Sequence, residues 1–186
     1  CNGIVSNSWD CNNQGICTDP GNGNGIYTSY NACVAACGCT GSTNNINEGF
    51  QSTSIPNDWS IDNPDGDQSW TINSNYGYNS SSSICIENSI YAANGEYDDL
   101  ISPVMNFTGS TSTSLSFDYA YSLWTNPNSN PNYSDTLQIH ISSNCGLSWL
   151  KVWEKYGTDL VTNNSIFYED TWFPTSNNDW ESVTIS

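Results

Sequence analysis

The stretch Ser114-Leu115-Ser116-Phe117-Asp118-Tyr119-Ala120-Tyr121 alternates between polar and apolar residues. The same period of two recurs in Thr136-Leu137-Gln138-Ile139-His140-Ile141-Ser142 and in Ser182-Val183-Thr184-Ile185-Ser186. Such alternation places apolar side chains on one face of a strand, as in an antiparallel sheet with one buried face. The sequence therefore predicts a mostly β domain over residues 46–186, an antiparallel β-sandwich or jelly roll.

The first 39 residues differ from the rest, because they contain six of the eight cysteines and few apolar side chains. A segment this small cannot bury a sufficient core, and disulfides would stabilise it by about 2–4 kcal/mol each. Residues 30–38 predict a short helix with Cys33 and Cys37 on one face, so each is expected to pair with an earlier cysteine. We predict a disulfide-rich module over residues 1–40 and a polar linker over residues 41–45.

The charge balance excludes several classes of partner. The chain has 19 Asp and Glu residues, two Lys and a net charge of −17. Nucleic acids and anionic membranes attract clustered basic residues, so we expect neither as a partner. No apolar run approaches the roughly 20 residues that span a membrane, so we also expect no membrane insertion. An even number of cysteines indicates an oxidising, extracellular or cell-surface location.

The cysteine-rich module resembles a known small domain. Tyr27 followed by Cys33-x-x-x-Cys37-Gly38 is similar to the C-terminal helix of Kunitz-type domains. In those domains the two helix cysteines pair in nested fashion with earlier ones. The stretch from Trp9 to Cys37 also resembles a small repeated module of secreted Bacteroidetes-type proteins. The resemblance implies the following disulfides: Cys17–Cys33, Cys11–Cys37 and, as a third nested pair, Cys1–Cys39.

No basic residue lies near the position of a Kunitz inhibitory loop. We therefore interpret the module as a disulfide-stapled spacer rather than as a protease inhibitor.

An ordered series of short motifs runs through residues 46–186. In order and spacing it resembles the bacterial cleaved-adhesin and MAM-like jelly rolls, which are appended to secreted proteases and to surface proteins. Those domains normally continue for a few more strands, so the last strands are expected to be missing or supplied by another chain. The motifs are Asn47-Glu48-Gly49-Phe50, Ile55-Pro56-Asn57-Asp58-Trp59, Asp65-Gly66-Asp67-Gln68-Ser69-Trp70, Asp98-Asp99-Leu100-Ile101-Ser102-Pro103, Leu115-Ser116-Phe117-Asp118-Tyr119 and Asp135-Thr136-Leu137.

Acidic side chains in these motifs are candidate calcium ligands. Ca²⁺ takes 6–8 oxygen ligands, and a chain with two lysines lacks cationic partners for its carboxylates. The resembled jelly rolls hold a structural calcium near the first strand and near the Asp98 motif. The segment that contains Asp65 and Asp67 is typical either of a metal-binding loop or of a hairpin closed by an Asx turn. The candidates are Glu48, Asp62, Asp65, Asp67, Asp98, Asp99 and Asp118.

No catalytic constellation is visible in the sequence. The single histidine, His140, lies on the polar face of its predicted strand, and no nucleophile motif surrounds a serine. Glycoside hydrolysis needs two carboxylates, but no pair is distinguished by sequence. We expect a protein that is not an enzyme.

The segment from Ser142 to Trp149 is similar to an Asp-box hairpin in which Asn144 replaces the aspartate. We expect its side chains to lock a turn, with Trp149 packed beneath it. Cys145 lies inside this turn, and we predict that it pairs with Cys85.

The aromatic residues predict either a surface on which sugar rings stack or an ordinary hydrophobic core. We favour core for Tyr119 and Trp149, and we predict ligand binding by Trp124 and Tyr121. The other residues considered for the platform are Tyr76 and Tyr78.

Sequons for N-glycosylation occur at Asn79, Asn106, Asn132 and Asn163.

These features predict a non-catalytic extracellular adhesion or structural subunit. It would be a calcium-stabilised building block of a bacterial surface fibre or stalk, joined by strand exchange to copies of itself or to neighbouring domains. The alternative is an accessory domain of a secreted hydrolase, such as a protease, that binds carbohydrate or protein.

Overall fold

The structure is a computed structural model that describes residues 8–11, 17–37, 41, 43–91, 95–123, 134–162 and 171–186. The chain forms two units. The first comprises Cys1–Ile46, Val104–Ser110 and His140–Leu150, and the second comprises Asn47–Pro103, Thr111–Ile139 and Lys151–Ser186. Two segments of the predicted β domain therefore cluster with the cysteine-rich region.

Two disulfides connect the helix of the first unit to its small hairpin. Strands β1 (Asp10–Cys11) and β2 (Cys17–Thr18) are antiparallel, and helix α1 spans Tyr30–Cys37. The disulfides are Cys11–Cys37 and Cys17–Cys33, which confirms both pairings and the predicted helix. The predicted Cys1–Cys39 pair lies outside the described residues.

The predicted linker makes specific contacts in the first unit. Thr43 forms a parallel bridge with Met105, and its carbonyl accepts a hydrogen bond of 2.7 Å from the backbone N–H of Asn106. Gly41 is buried, and a Cβ atom there would lie 2.1 Å from the carbonyl oxygen of Val104, so only glycine fits. These contacts hold the segment in place, unlike a flexible polar tether.

Side chains lock the predicted Asp-box-like turn. The side-chain Oδ1 of Asn144 accepts a hydrogen bond of 2.9 Å from the backbone N–H of Ser148, and Ser142 Oγ accepts one of 2.8 Å from the backbone N–H of Gly146. Trp149 lies beside this turn but is 48% exposed, so the core assignment for Trp149 is wrong.

The second unit contains three antiparallel strand pairs. Strand β3 (Ser60–Asp62) pairs with β6 (Asp99–Ile101), β4 (Thr71–Asn73) with β5 (Ser83–Cys85), and β7 (Leu115–Tyr119) with β10 (Glu181–Ile185). Strands β8 (Thr136–Ile141) and β9 (Leu150–Tyr156) form a further pair. Short 3-10 turns span Asn88–Ile90, Gly157–Asp159 and Asn177–Asp179.

The mostly β fold with a short helix and disulfides is confirmed. The strands around Phe117, Ile139 and Val183 form where the alternating pattern predicts them. Each strand among the described residues pairs with one neighbour, so the sheets are small pairs. The sandwich or jelly roll stays a prediction.

Apolar burial is modest in the residues that the structure describes. On β7 Tyr119 is buried, as expected, and Trp153 of β9 meets Phe117 and Tyr119 edge-on at centroid distances of 5.2 and 5.7 Å. The buried apolar residues are Cys17, Cys33, Tyr119, Leu123 and Leu160.

In the described ranges no helix has the length and apolar character needed to span a membrane.

The predicted Cys85–Cys145 disulfide is wrong. Cys85 is a free thiol on β5, whereas Cys145 is disulfide-bonded. The reason is that the turn containing Cys145 belongs to the first unit, while β5 belongs to the second.

Candidate metal centre

Two of the predicted acidic residues, Asp65 and Asp98, act on the same hydroxyl group in the second unit. The Tyr91 hydroxyl donates a hydrogen bond of 2.8 Å to Asp65 Oδ2. Desolvation raises the pKa of Tyr91, and the carboxylates of Asp65 and Asp98 raise it further. Two negative groups therefore lie close to one phenol proton.

The turn between β3 and β4 positions Asp65. The side-chain Oδ1 of Asn63 accepts a hydrogen bond of 2.8 Å from the backbone N–H of Gly66, which has a φ of 71°. Asp65 Oδ1 accepts one of 3.1 Å from the backbone N–H of Asp67. The predicted Asx turn is therefore present, and it leaves Asp65 Oδ2 for Tyr91. The predicted hairpin is wrong, because β3 pairs with β6 and β4 pairs with β5.

Asp98 is the least satisfied acidic residue of this site. Its backbone carbonyl accepts a hydrogen bond of 2.9 Å from Trp70 Nε1, which fixes the chain just before β6. Both oxygens of its side chain are buried and accept no hydrogen bond. An unpaired buried charge costs several kcal/mol, so a cation, a water molecule or the neighbouring Tyr91 hydroxyl would satisfy this carboxylate.

The donor set fits a hard cation in part. Asp98 offers two unused oxygens, and Asp65 offers the oxygen that faces Tyr91. Calcium takes carboxylate oxygens and completes its 6–8 ligands with carbonyl groups and water. These two carboxylates are the residues of this chain that would hold such an ion.

Two of the other predicted ligands accept hydrogen bonds elsewhere. Glu48 Oε1 accepts a hydrogen bond of 2.5 Å from the backbone N–H of Phe50, and Asp118 accepts one from the Ser182 hydroxyl. Asp99 lies opposite Asp62 across the β3–β6 pair, and both are exposed. Among the described residues, no three carboxylates have oxygens within 4.8 Å of one another, and the carboxylate of Asp67 joins no such group.

Tyr91 is not among the site residues predicted from the sequence. It follows the 3-10 turn Asn88–Ile90, where no periodic pattern marks a functional position. Its proximity to Asp65 and Asp98 arises from contacts between residues far apart in the sequence.

Both lysines of the chain are already paired. Lys151 Nζ lies 2.6 Å from Glu154, and Lys155 Nζ lies 2.5 Å from Glu181. The hydrogen bond from Lys155 lowers the pKa of Glu181, although desolvation opposes it. With no arginine in the chain, no basic side chain remains to neutralise Asp65 and Asp98.

The remaining predicted site residues lie apart from this cluster. The Tyr121 hydroxyl donates a hydrogen bond of 2.8 Å to Asp135, so its phenol is engaged within the protein. Asn79 and Asn106 are exposed sequons. Trp124, Asn132 and Asn163 lie outside the described residues.

The comparisons with known proteins return no relative. No protein-family model matches the sequence, and searches of curated proteins and of solved structures find no significant match. Inferences about function therefore depend on the residues and their geometry.

Proposed function

We propose that this protein is a non-catalytic structural or adhesion subunit of an extracellular bacterial fibre or stalk. Strands of neighbouring copies would complete its sheets. The observation that carries this proposal is that each strand among the described residues pairs with one other strand. An open strand edge presents backbone N–H and C=O groups that a strand of another chain can pair with.

The β7–β10 pair is the best candidate for strand addition. Its five paired positions run from Glu181 opposite Tyr119 to Ile185 opposite Leu115. Lysine is a common protection of strand edges, yet both lysines of the chain lie on β9. Lys155 reaches Glu181 of β10 from there, but neither β7 nor β10 carries a lysine of its own.

Exposed apolar side chains also support association. Leu115 on β7 is 40% exposed, and Leu150 and Tyr156 on β9 are 63% and 60% exposed. Burying an apolar side chain in an interface contributes about 25 cal/mol for each Å² removed from water. A neighbouring copy would supply that burial.

Calcium is part of the proposal. The unpaired oxygens of Asp98 and the nearby Asp65 support a structural ion that stabilises the second unit. The two disulfides of the first unit indicate an oxidising environment, which supports an extracellular location.

Light scattering after size-exclusion chromatography tests the assembly. We expect the unreduced chain to form oligomers whose mass increases with concentration. The Ser182→Lys substitution puts a lysine on β10, next to Asp118, and should shift the chain towards monomer.

The matched control is Thr158→Lys, which adds the same charge in the 3-10 turn Gly157–Asp159 and should leave the mass unchanged. Equal masses for the two variants would contradict a role for β10. A monomer at every concentration would contradict the proposal as a whole.

A further inference from the structure

Aromatic and amide side chains line a groove in the second unit. One wall is formed by Asn75, Tyr76, Gly77 and Ser80. The other is formed by Pro174, Thr175, Ser176, Asn177 and Trp180. The volume of the groove is about 350 Å³, which lies at the lower end of the range for small-molecule sites.

Side-chain hydrogen bonds preform this groove. The Asn177 side chain donates a hydrogen bond of 2.5 Å to the side-chain Oδ1 of Asn79 and accepts one of 3.0 Å from the backbone N–H of Asn79. These bonds join segments 98 residues apart in the sequence. A ligand therefore meets walls that are already in place, which reduces the entropy lost on binding.

A second set of bonds fixes the Thr175–Asp179 turn. Asp179 accepts hydrogen bonds of 2.8 and 2.9 Å from the backbone N–H groups of Thr175 and Ser176, and these bonds lower the pKa of its carboxyl group. Because that carboxylate is used within the turn, it does not line the groove.

The rings of the groove offer flat apolar surfaces. Tyr76 stacks on Phe173 with centroids 4.7 Å apart and planes inclined by 9°, and Trp180 lies 6.2 Å from Tyr78. Tyr76 and Trp180 are half-buried, so part of each remains open to the groove. Such surfaces suit the C–H faces of a sugar ring.

The lining contains amide and hydroxyl groups but no charged side chain. The net charge of −17 and the pairing of both lysines disfavour an anionic ligand. A neutral ligand with many hydroxyl groups fits, because the Asn75 amide supplies a donor and an acceptor at the wall. The Ser80 and Thr175 hydroxyls donate to Ser82 and Asp179 and keep acceptor lone pairs for a ligand hydroxyl.

We infer that this groove binds a neutral oligosaccharide, with Tyr76 and Trp180 as the stacking residues. The inference goes beyond the proposed assembly and does not depend on it, since every residue used lies within the second unit of one chain.

Affinity electrophoresis of the full unreduced chain tests the inference. The probes are five neutral polysaccharides, namely mannan, xyloglucan, galactomannan, mixed-linkage β-glucan and dextran, with alginate as the anionic comparison. We expect at least one neutral polysaccharide to retard the chain and alginate not to retard it. Retardation by none of the five, or by alginate alone, would overturn the inference.

Substitutions test whether the polysaccharide binds in the groove. Tyr76→Ala should weaken binding by about tenfold, because a stacking surface is lost. Asn75→Ala removes an exposed amide at the rim and serves as a second variant if Tyr76→Ala does not fold. The matched control is Tyr97→Ala, because Tyr97 is 59% exposed and is not part of the lining. Binding that neither groove variant weakens would contradict the assignment.

Discussion

The two units of this protein are stabilised by different means. In the first unit, disulfides tie α1 to β1 and β2, and Cys33 is fully buried. In the second unit, the described residues form no disulfide, and short strand pairs, aromatic contacts and ion pairs hold the chain. The first unit has few apolar residues and is cross-linked covalently. Among the described residues of the second unit, each strand pairs with one other strand, and neither lysine pairs with Asp98.

Removing a disulfide should have the largest effect. Cys33→Ala leaves Cys17 without its partner and should lower the stability of the first unit by about 2–5 kcal/mol. Thermal unfolding by calorimetry measures this. Cys85→Ala is the matched control, and its change should be much smaller because that thiol is free. Equal losses would show that the cysteines stabilise both units alike.

Calcium should have the second-largest effect, on the stability of the second unit. If the ion binds at Asp98, Ca²⁺ at about 100 times its Kd adds about 2.7 kcal/mol of stability, and a chelator lowers the Tm. Asp98→Asn should abolish this response, whereas Asp118→Asn should keep it, because Asp118 is bonded to Ser182 instead. A Tm that does not change with chelator would rule out the ion.

The smallest effect is expected at the Lys155–Glu181 pair. The folded-state pKa of Glu181 is lowered from 4.5 by the hydrogen bond from Lys155. Its contribution is therefore present above about pH 4.5 and lost as the pH falls through the folded pKa. The pair is partly exposed, so we expect less than about 1 kcal/mol.

Unfolding in urea at pH 3 and pH 7 measures this contribution. Glu181→Gln should reduce the difference between the two pH values. Glu154→Gln, which breaks the exposed Lys151 pair, is the comparison and should have a smaller effect. A larger effect at Glu154 would contradict the assignment.

Local patterns predicted much of the fold. Alternation predicted the strands around Phe117 and Val183, and the helix was predicted from the residues around Cys33. The two confirmed disulfides were implied by the resemblance to Kunitz-type domains. The pairing of Cys145 was not predicted, because sequence spacing does not show that its turn joins the first unit.

Long-range side-chain contacts explain what the sequence missed at the sites. Asp65 and Asp98 were candidates by residue type, but their position around Tyr91 depends on the fold. The bond between Asn79 and Asn177, which forms the groove, joins two polar loops with no distinguishing pattern. Such contacts have no local signal that a sequence pattern can detect.

Negative-stain electron microscopy of the unreduced protein tests the central claim, assembly through open strand edges, most directly. The account predicts regular filaments or oligomers for the unmodified chain and dispersed particles for Ser182→Lys. Dispersed single particles of the unmodified chain, at high concentration and with calcium present, would contradict it.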